Sequence, residues 1–157
     1  MGHPGVGDRA PDFDLEGTGG RRYSLTDDPG APVVLAFYPA DNTPVCTRQL
    51  ISYSDNLADF ADLGARLLAL SPQDVASHEA FAAEHGLGFP LLADIDKAVA
   101  EAYGVLGPLG FYRRSVFVID GGGVIRYAHR AVAGMSFRRS AELVEAVKSA
   151  KAASRAT

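Results

Sequence analysis

Residues 33 to 49 read VVLAFYPADNTPVCTRQ, an apolar run followed by a polar turn and the start of a helix-forming stretch. Val33 to Tyr38 lies between Pro32 and Pro39, and an apolar run that short and so bounded suits a strand buried on both faces of a parallel or mixed sheet. After Pro44, apolar residues recur at Val45, Leu50, Tyr53, Leu57, Phe60 and Ala61, a spacing near 3.6 that predicts a helix of about four turns ending near Gly64. Cys46, the single cysteine of the chain, thereby falls in the first turn of a helix that leaves a buried strand.

Working outward, ARLLALS (65–71) reads as the next strand. Ser71-Pro72-Gln73-Asp74 then supplies an N-cap, a proline at the first helical position and an early acid for a helix reaching Gly86. FPLLAD (89–94) predicts a short strand, and a helix over 96–103 should stop at Gly104. RSVFVID (114–120), the turn DGGG and GVIRYAHRAV (123–132) form the clearest hairpin signal. A last helix is expected from about Ser140 through Leu143, Val144 and Val147, with Lys148 and Lys151 complementing its C-terminal dipole and a frayed tail AASRAT. Ahead of the main unit, DFDL, EGTGG and RRYSL predict a small hairpin. Strand–helix units followed by a hairpin and a closing helix define an α/β class with thioredoxin-like order: a central mixed sheet flanked by helices, plus an N-terminal β-hairpin. No repeat or linker divides residues 1–157, so a single domain is expected.

Composition narrows the function. The chain has 157 residues, 47% hydrophobic and 22% charged, enough for a core without disulfides or a structural metal. With a net charge of -4 it has no general basic field for nucleic acid or anionic membrane, and no apolar run approaches a membrane span. The first residues lack the basic and apolar regions of a secretory signal, which makes a cytoplasmic location the expectation. One cysteine forbids an internal disulfide and any CxxC arrangement, so a redox cycle must borrow a second thiol.

The first turn of a helix favours a thiolate, because unpaired N–H groups and the dipole face the anion. The dipole supplies about 0.3–1 kcal/mol, whereas lowering a thiol from about 8.5 to about 6 takes roughly 3.4 kcal/mol. A cation or further donors must therefore come from elsewhere in the fold. Thr43, three residues before Cys46, should bring its hydroxyl close to the sulfur as the chain turns into the helix. Pro39, without an N–H and with φ fixed, should form a dry wall at the strand end.

The order Pro39-x-x-x-Thr43-x-x-Cys46 after FYP resembles the peroxiredoxin active-site motif (the alkyl hydroperoxide reductase C and thiol-specific antioxidant family), most closely the bacterioferritin comigratory protein branch. The resemblance extends through GDRAPDFDL (7–15), LSPQDVASHEAFAAEHGLGFPLLAD (70–94) and RRSVFVIDGGGVI (113–125). It implies a thiol-dependent peroxidase of hydrogen peroxide and organic hydroperoxides, an antioxidant role in cell redox homeostasis, and no cofactor or metal. Cys46 would be the peroxidatic cysteine and become a sulfenic acid; Thr43 would bond sulfur and peroxide; Pro39 would shield the sulfenate; and Arg114 would supply the cation. The N–H groups of Val45 and Cys46 would complete the site, Gln49 would hold the arginine, and Tyr38 would border the substrate. Members of the branch often carry a resolving cysteine five residues on, where this chain has Ile51; Val45 replaces a common glycine and Ser54 a frequent arginine. The resemblance thus implies a one-cysteine peroxiredoxin, monomer or homodimer. Its recycling would fall to an external thiol such as thioredoxin, a glutaredoxin-like protein or a low-molecular-weight thiol.

Other readings are weaker. A peroxide sensor or redox relay with low turnover would use the same sulfur chemistry. A cysteine hydrolase would need a histidine base beside Cys46; His78, His85 and His129 are scattered and expected to be solvated. GTGG (17–20) and GVLGPLG (104–110) match no nucleotide fingerprint and read as turns. Leu106, Leu109, Phe111 and Tyr112 are candidates for lining a substrate mouth or, equally, for a packing or dimer surface.

Overall fold

The computed structural model describes residues 3–131 and 137–156. Its strands are β1 (Asp14–Gly17), β2 (Arg21–Ser24), β3 (Val33–Phe37), β4 (Arg66–Ser71), β5 (Leu91–Ala93), β6 (Ser115–Ile119) and β7 (Ile125–Arg130). The helices are α1 (Pro44–Asp55), α2 (Leu57–Ala61), α3 (Val75–His85), α4 (Ala98–Ala102) and α5 (Ser140–Ala156). All seven strands join one sheet in the order β2-β1-β5-β4-β3-β6-β7. The strand β3 runs parallel to β4 and β4 parallel to β5, while β6 is antiparallel to β3 and β7 to β6. This is the mixed sheet of the thioredoxin-like order that the sequence predicts.

Every residue of β3 is buried, as a double-sided apolar run requires. Alternation sends Val33, Leu35 and Phe37 into one core with Phe117, Ile119 and the α4 side chains Val99 and Ala100. Val34, Ala36 and Tyr38 enter the opposite core, closed by Leu50 and Tyr53 of α1, Phe60 of α2, Phe81 of α3 and Leu143 and Val147 of α5. Cys46 belongs to this second core and is 0% exposed. The candidate site therefore lies between the end of the central strand and the helix layer of one face.

Several boundaries differ from the sequence reading. The helix expected to run from Val45 to Gly64 breaks at Asn56, whose side-chain amide donates to the Ser52 carbonyl at 2.8 Å, and a short α2 follows. Ser71 does not cap α3: it is still in the sheet, paired with Ala93, and Asp74 takes the cap by accepting from the Ser77 N–H at 2.8 Å. The helix expected over 96–103 shrinks to α4, because Lys97 sits at φ 62° and the Asp94 carboxylate takes the Val99 and Ala100 N–H groups. At the C-terminus α5 continues through Ala156, where a frayed tail was expected. The strand expected to reach residue 132 ends as β7 at Arg130, and Val132 lies outside the described residues.

The expected N-terminal hairpin forms, with Asp14 opposite Ser24 through to Gly17 opposite Arg21. It also extends the main sheet, since Gly17 pairs with Leu92. A Cβ on Gly17 would lie 2.9 Å from the Leu91 carbonyl oxygen and 2.8 Å from the Tyr23 ring, so this junction closes only on a glycine.

Candidate active site

The site is assembled where β3 ends opposite the start of β6, with Phe37 paired to Ser115. The chain leaves β3 through Tyr38 and half-buried Pro39 and turns at Asn42, which adopts φ 65°. It enters α1 with Thr43 as the extended N-cap and Pro44 at the first helical positions. Proline suits that place because it has no N–H to leave unpaired. Pro44 offers no donor, and Thr43 makes no side-chain cap hydrogen bond. The first-turn N–H groups of Val45 and Cys46 therefore face the site without an intrahelical acceptor.

Arg114 precedes β6 directly, so the antiparallel pairing of β6 with β3 delivers it to the base of α1. Its Nη1 donates to Cys46 Sγ at 3.2 Å and to Gln49 Oε1 at 2.6 Å. Gln49 lies one turn after Cys46, is fully buried, and donates through Nε2 to the Tyr53 hydroxyl at 3.3 Å. Tyr53 in turn donates to the Arg138 carbonyl at 2.6 Å, linking α1 to the segment before α5. Burial pushes the Tyr53 hydroxyl up to about 12, although the Gln49 hydrogen bond and the Arg114 charge oppose that rise. A guanidinium that is 5% exposed beside a fully buried sulfur is complementary to a thiolate and to an oxyanion forming next to it.

Among the expected site residues, Cys46, Arg114 and Gln49 are in direct contact, and Val45 is half-buried in the same turn. Thr43 departs from the expected contact: its hydroxyl donates to the Ala40 carbonyl at 3.1 Å and closes the turn, leaving the sulfur to Arg114. The one hydroxyl proton is thus committed, while the lone pairs of Thr43 Oγ1 stay available as acceptors. Tyr38 does not present its hydroxyl to a substrate. It is 0% exposed, and its hydroxyl donates to buried Asp41 Oδ1 at 2.6 Å.

His78, expected to be solvated, is fully buried and bonded to Asp41 and to the Leu92 carbonyl. No histidine among the described residues bonds the sulfur. His85 and His129 are half-buried. Of the apolar loop, Leu109 is 93% exposed and Phe111 67%, whereas Tyr112 is buried against Asp94 with its hydroxyl donating at 2.5 Å. Ile51, five residues after Cys46, is half-buried on α1. Ser54 takes a structural part, accepting from the Gly88 N–H at 3.0 Å. Sequence reasoning missed Asp41, Tyr53 and His78; the only available signal was the spacing Tyr38-x-x-Asp41 beside the motif.

A mixed α/β sheet carrying a buried thiol in the first turn of a helix, with an arginine on the sulfur, defines the thioredoxin-like thiol peroxidases. The chain belongs to the AhpC/TSA family, whose sequence profile matches residues 6–128. It is 40% identical over 126 residues to a putative peroxiredoxin of Mycobacterium tuberculosis, covering 76% of this chain and 80% of that one. The chloroplastic peroxiredoxin Q of Arabidopsis thaliana is 38% identical over 149 residues, 94% of this chain and 67% of that protein. Among solved structures, a cysteine mutant of Xylella fastidiosa PrxQ superposes with a TM-score of 0.87 at 28% identity, covering 95% of this chain and 98% of that one. Peroxiredoxin Q of Xanthomonas campestris gives 0.76 at 31% identity over 89% of this chain and 90% of that one. The chain is a peroxiredoxin, an enzyme that spends a thiol to reduce a peroxide.

Proposed function

We propose that Cys46 carries the peroxidase reaction and that its sulfenic acid is recycled by a thiol from outside the chain. The observation supporting this most is the pair of bonds made by Arg114 Nη1, to Cys46 Sγ at 3.2 Å and to Gln49 Oε1 at 2.6 Å. Gln49 holds the guanidinium where it can stabilise both the thiolate and the departing oxygen. The thiolate attacks the distal oxygen of ROOH; the S–O bond forms as the O–O bond breaks, and RO⁻ leaves and takes a proton to give ROH. Thr43 Oγ1 accepts from the peroxide hydroxyl, and the N–H groups of Val45 and Cys46 with Arg114 bind the developing oxyanion. Pro39 walls the strand end and limits water at the sulfenate.

The reductive half follows from a chain with one cysteine. A thiol R′SH attacks Cys46–SOH, water leaves and a mixed disulfide forms; a second thiol releases R′SSR′ and restores Cys46. Thioredoxin, a glutaredoxin-like protein and a low-molecular-weight thiol are the candidate reductants.

Stopped-flow mixing of reduced protein with hydrogen peroxide and an organic hydroperoxide tests the oxidative half. Mass spectrometry with each thiol tests the other. Oxidation far faster than that of a free thiol, absent from Cys46→Ser, followed by one productive adduct, is the expected result. A specific adduct with negligible turnover for every reductant would instead mark a peroxide sensor or redox relay. Reactivity no greater than that of a free thiol would overturn the reading.

A further inference from the structure

The turn between β3 and α1 is gripped by a buried network that the peroxide chemistry does not use. Asp41 is 8% exposed, and Tyr38 and His78 are fully buried. The Asp41 carboxylate accepts from the Tyr38 hydroxyl at 2.6 Å on Oδ1 and from the Ser77 hydroxyl at 2.7 Å on Oδ2. His78 Nδ1 lies 2.9 Å from the same Oδ2 and 3.2 Å from Oδ1, and its Nε2 lies 3.0 Å from the Leu92 carbonyl oxygen.

The bonding pattern fixes the protons. A carbonyl only accepts, so Nε2 carries hydrogen. Nδ1 faces a carboxylate whose oxygens already accept two hydroxyls, so a proton must also lie between Nδ1 and Oδ2. Burial pushes the Asp41 carboxyl up, but the hydrogen bonds from His78, Tyr38 and Ser77 outweigh it and hold the group below the usual carboxylate range. The two side chains thus form a buried hydrogen-bonded pair, with the Tyr38 hydroxyl 3.3 Å from the same Nδ1. Buried polar groups of this kind are stable only when every bonding position is met. Among the described residues, no buried side-chain nitrogen or oxygen lacks a partner.

The network is placed to control the turn. Ser77 and His78 lie in the opening turns of α3, and the Asp41 N–H donates to Gln73 Oε1 at 2.6 Å just before that helix. Asp41 is thus tied through both main chain and side chain to residues 32 to 37 positions away. The next residue, Asn42, occupies the left-handed region, which asparagine adopts more readily than other side chains and which turns the chain into α1. Thr43 follows, bonded back to Ala40, and its carbonyl accepts from the Thr47 N–H at 2.9 Å and the Thr47 hydroxyl at 2.7 Å. A rotation at Asp41 is transmitted within two residues to Thr43 and within five to Cys46. Arg114 and Gln49 hold the sulfur itself, so the first turn of α1 is fixed by two networks.

We propose that Asp41 and His78 are positioning residues for the oxidation of Cys46: their pair locks the turn that aligns Thr43 and the first N–H groups of α1 on the peroxide. This rests on Cys46 being the thiol that peroxide oxidises.

The test compares two substitutions that keep different halves of the imidazole. His78→Asn leaves an amide N–H where Nδ1 met Asp41, whereas His78→Gln leaves one where Nε2 met Leu92. A displacement of about 1 Å can cost about 100-fold in a reaction that needs aligned donors. Accordingly, oxidation by hydrogen peroxide should slow at least about 10-fold in Asp41→Asn and His78→Gln and stay within about 3-fold of wild type in His78→Asn. All three should melt at lower temperature. Alkylation of Cys46 by iodoacetamide, which needs no donor on a peroxide, should stay within about 3-fold throughout. Equal slowing in the two His78 variants, or alkylation falling in step with oxidation, would assign the network a merely structural role and overturn the proposal. If His78→Gln does not fold, Tyr38→Phe removes one hydroxyl from Asp41 while keeping the ring, and an unchanged oxidation rate there is equally fatal. Slow oxidation of the wild-type protein would instead defeat the peroxidase reading itself.

Discussion

Arg114 serves two acceptors from one nitrogen, and its chemistry explains why another cation is a poor substitute. Lysine is a point charge without the planar fork, so it cannot hold the Gln49 oxygen and the sulfur in the same fixed geometry. Arg114→Lys should lower the rate constant for hydrogen peroxide roughly 10-fold, and Arg114→Gln roughly 100- to 1,000-fold, the usual cost of a lost oxyanion donor. Stopped-flow oxidation reads both: equal rates in the two variants would show that the retained charge contributes nothing, and rates equal to wild type would show that neither the charge nor the fork matters. Asp120, away from the site, accepts from the Gly122 and Val124 N–H groups and pairs with Arg126 Nε at 2.7 Å. Burial pushes its carboxyl up, yet the Arg126 bond and the two N–H groups outweigh that and hold it below its ordinary value. A carboxyl depressed in the folded state adds stability above its unfolded pKa of about 3.9 and loses it as the pH falls through the lower folded value. Asp120→Asn should therefore be less stable than wild type at pH 7, by about 1–3 kcal/mol for the orphaned partners. The gap should narrow as melts are repeated from about pH 5 down to about pH 3. A gap constant over that range would remove Asp120 from the acid response.

Among the elements, the β6–β7 hairpin is the clearest case of a local sequence signal that also carries a tertiary contact. The DGGG turn predicts a hairpin, and the hairpin forms, but the turn also packs on residues 28–31. The Gly30 N–H donates to the Gly121 carbonyl at 3.2 Å, and a Cβ on Gly121 would stand 2.3 Å from the Gly30 carbonyl oxygen. Backbone cannot yield as a flexible side chain does, so Gly121→Ala must separate the two segments, costing about 1–3 kcal/mol and roughly 2–10 °C of melting temperature. Gly122→Ala, whose Cβ would meet only Asp120 Oδ1 at 3.4 Å, should be far milder. Calorimetry separates the two, and equal melting temperatures would show that the close approach is not limiting. The same contrast between local and tertiary information runs through the rest of the chain. The β3 strand, the turn and the start of α1 were legible because apolar period, proline and helix spacing are local properties. The break at Asn56 and the cap at Asp74 were not, since each depends on where the sheet ends or which carbonyl lies nearby. At the site, Cys46 and Thr43 stood out in sequence and Arg114 and Gln49 through the family resemblance. His78 did not, because its burial arises from α3 packing over β5 and from a carboxylate 37 residues earlier.

At the scale of the whole molecule, the fold isolates one thiol and provides no second one. Cys46 is 0% exposed, in a core shared by four helices and one face of the sheet. A small peroxide has far less to displace on reaching that sulfur than a protein thiol, which must approach to about 2.05 Å to form a disulfide. Oxidation and reduction thus place unequal demands on the same turn. Once Cys46–SOH forms, no other cysteine in the chain competes for it. Its fate is set by two external reactants: a thiol, which displaces water and leads back to the enzyme, or a second peroxide, which adds oxygen to give the sulfinic acid and water. Turnover with saturating hydrogen peroxide should therefore rise in proportion to the reductant until some other step limits it. With thiol withheld, activity should be lost irreversibly as peroxide is increased. Intact-mass spectrometry should show sulfinic acid at Cys46 growing with peroxide and suppressed by the thiol that supports turnover. Sustained peroxide consumption without any added thiol would contradict this dependence and require a reductant within the chain itself.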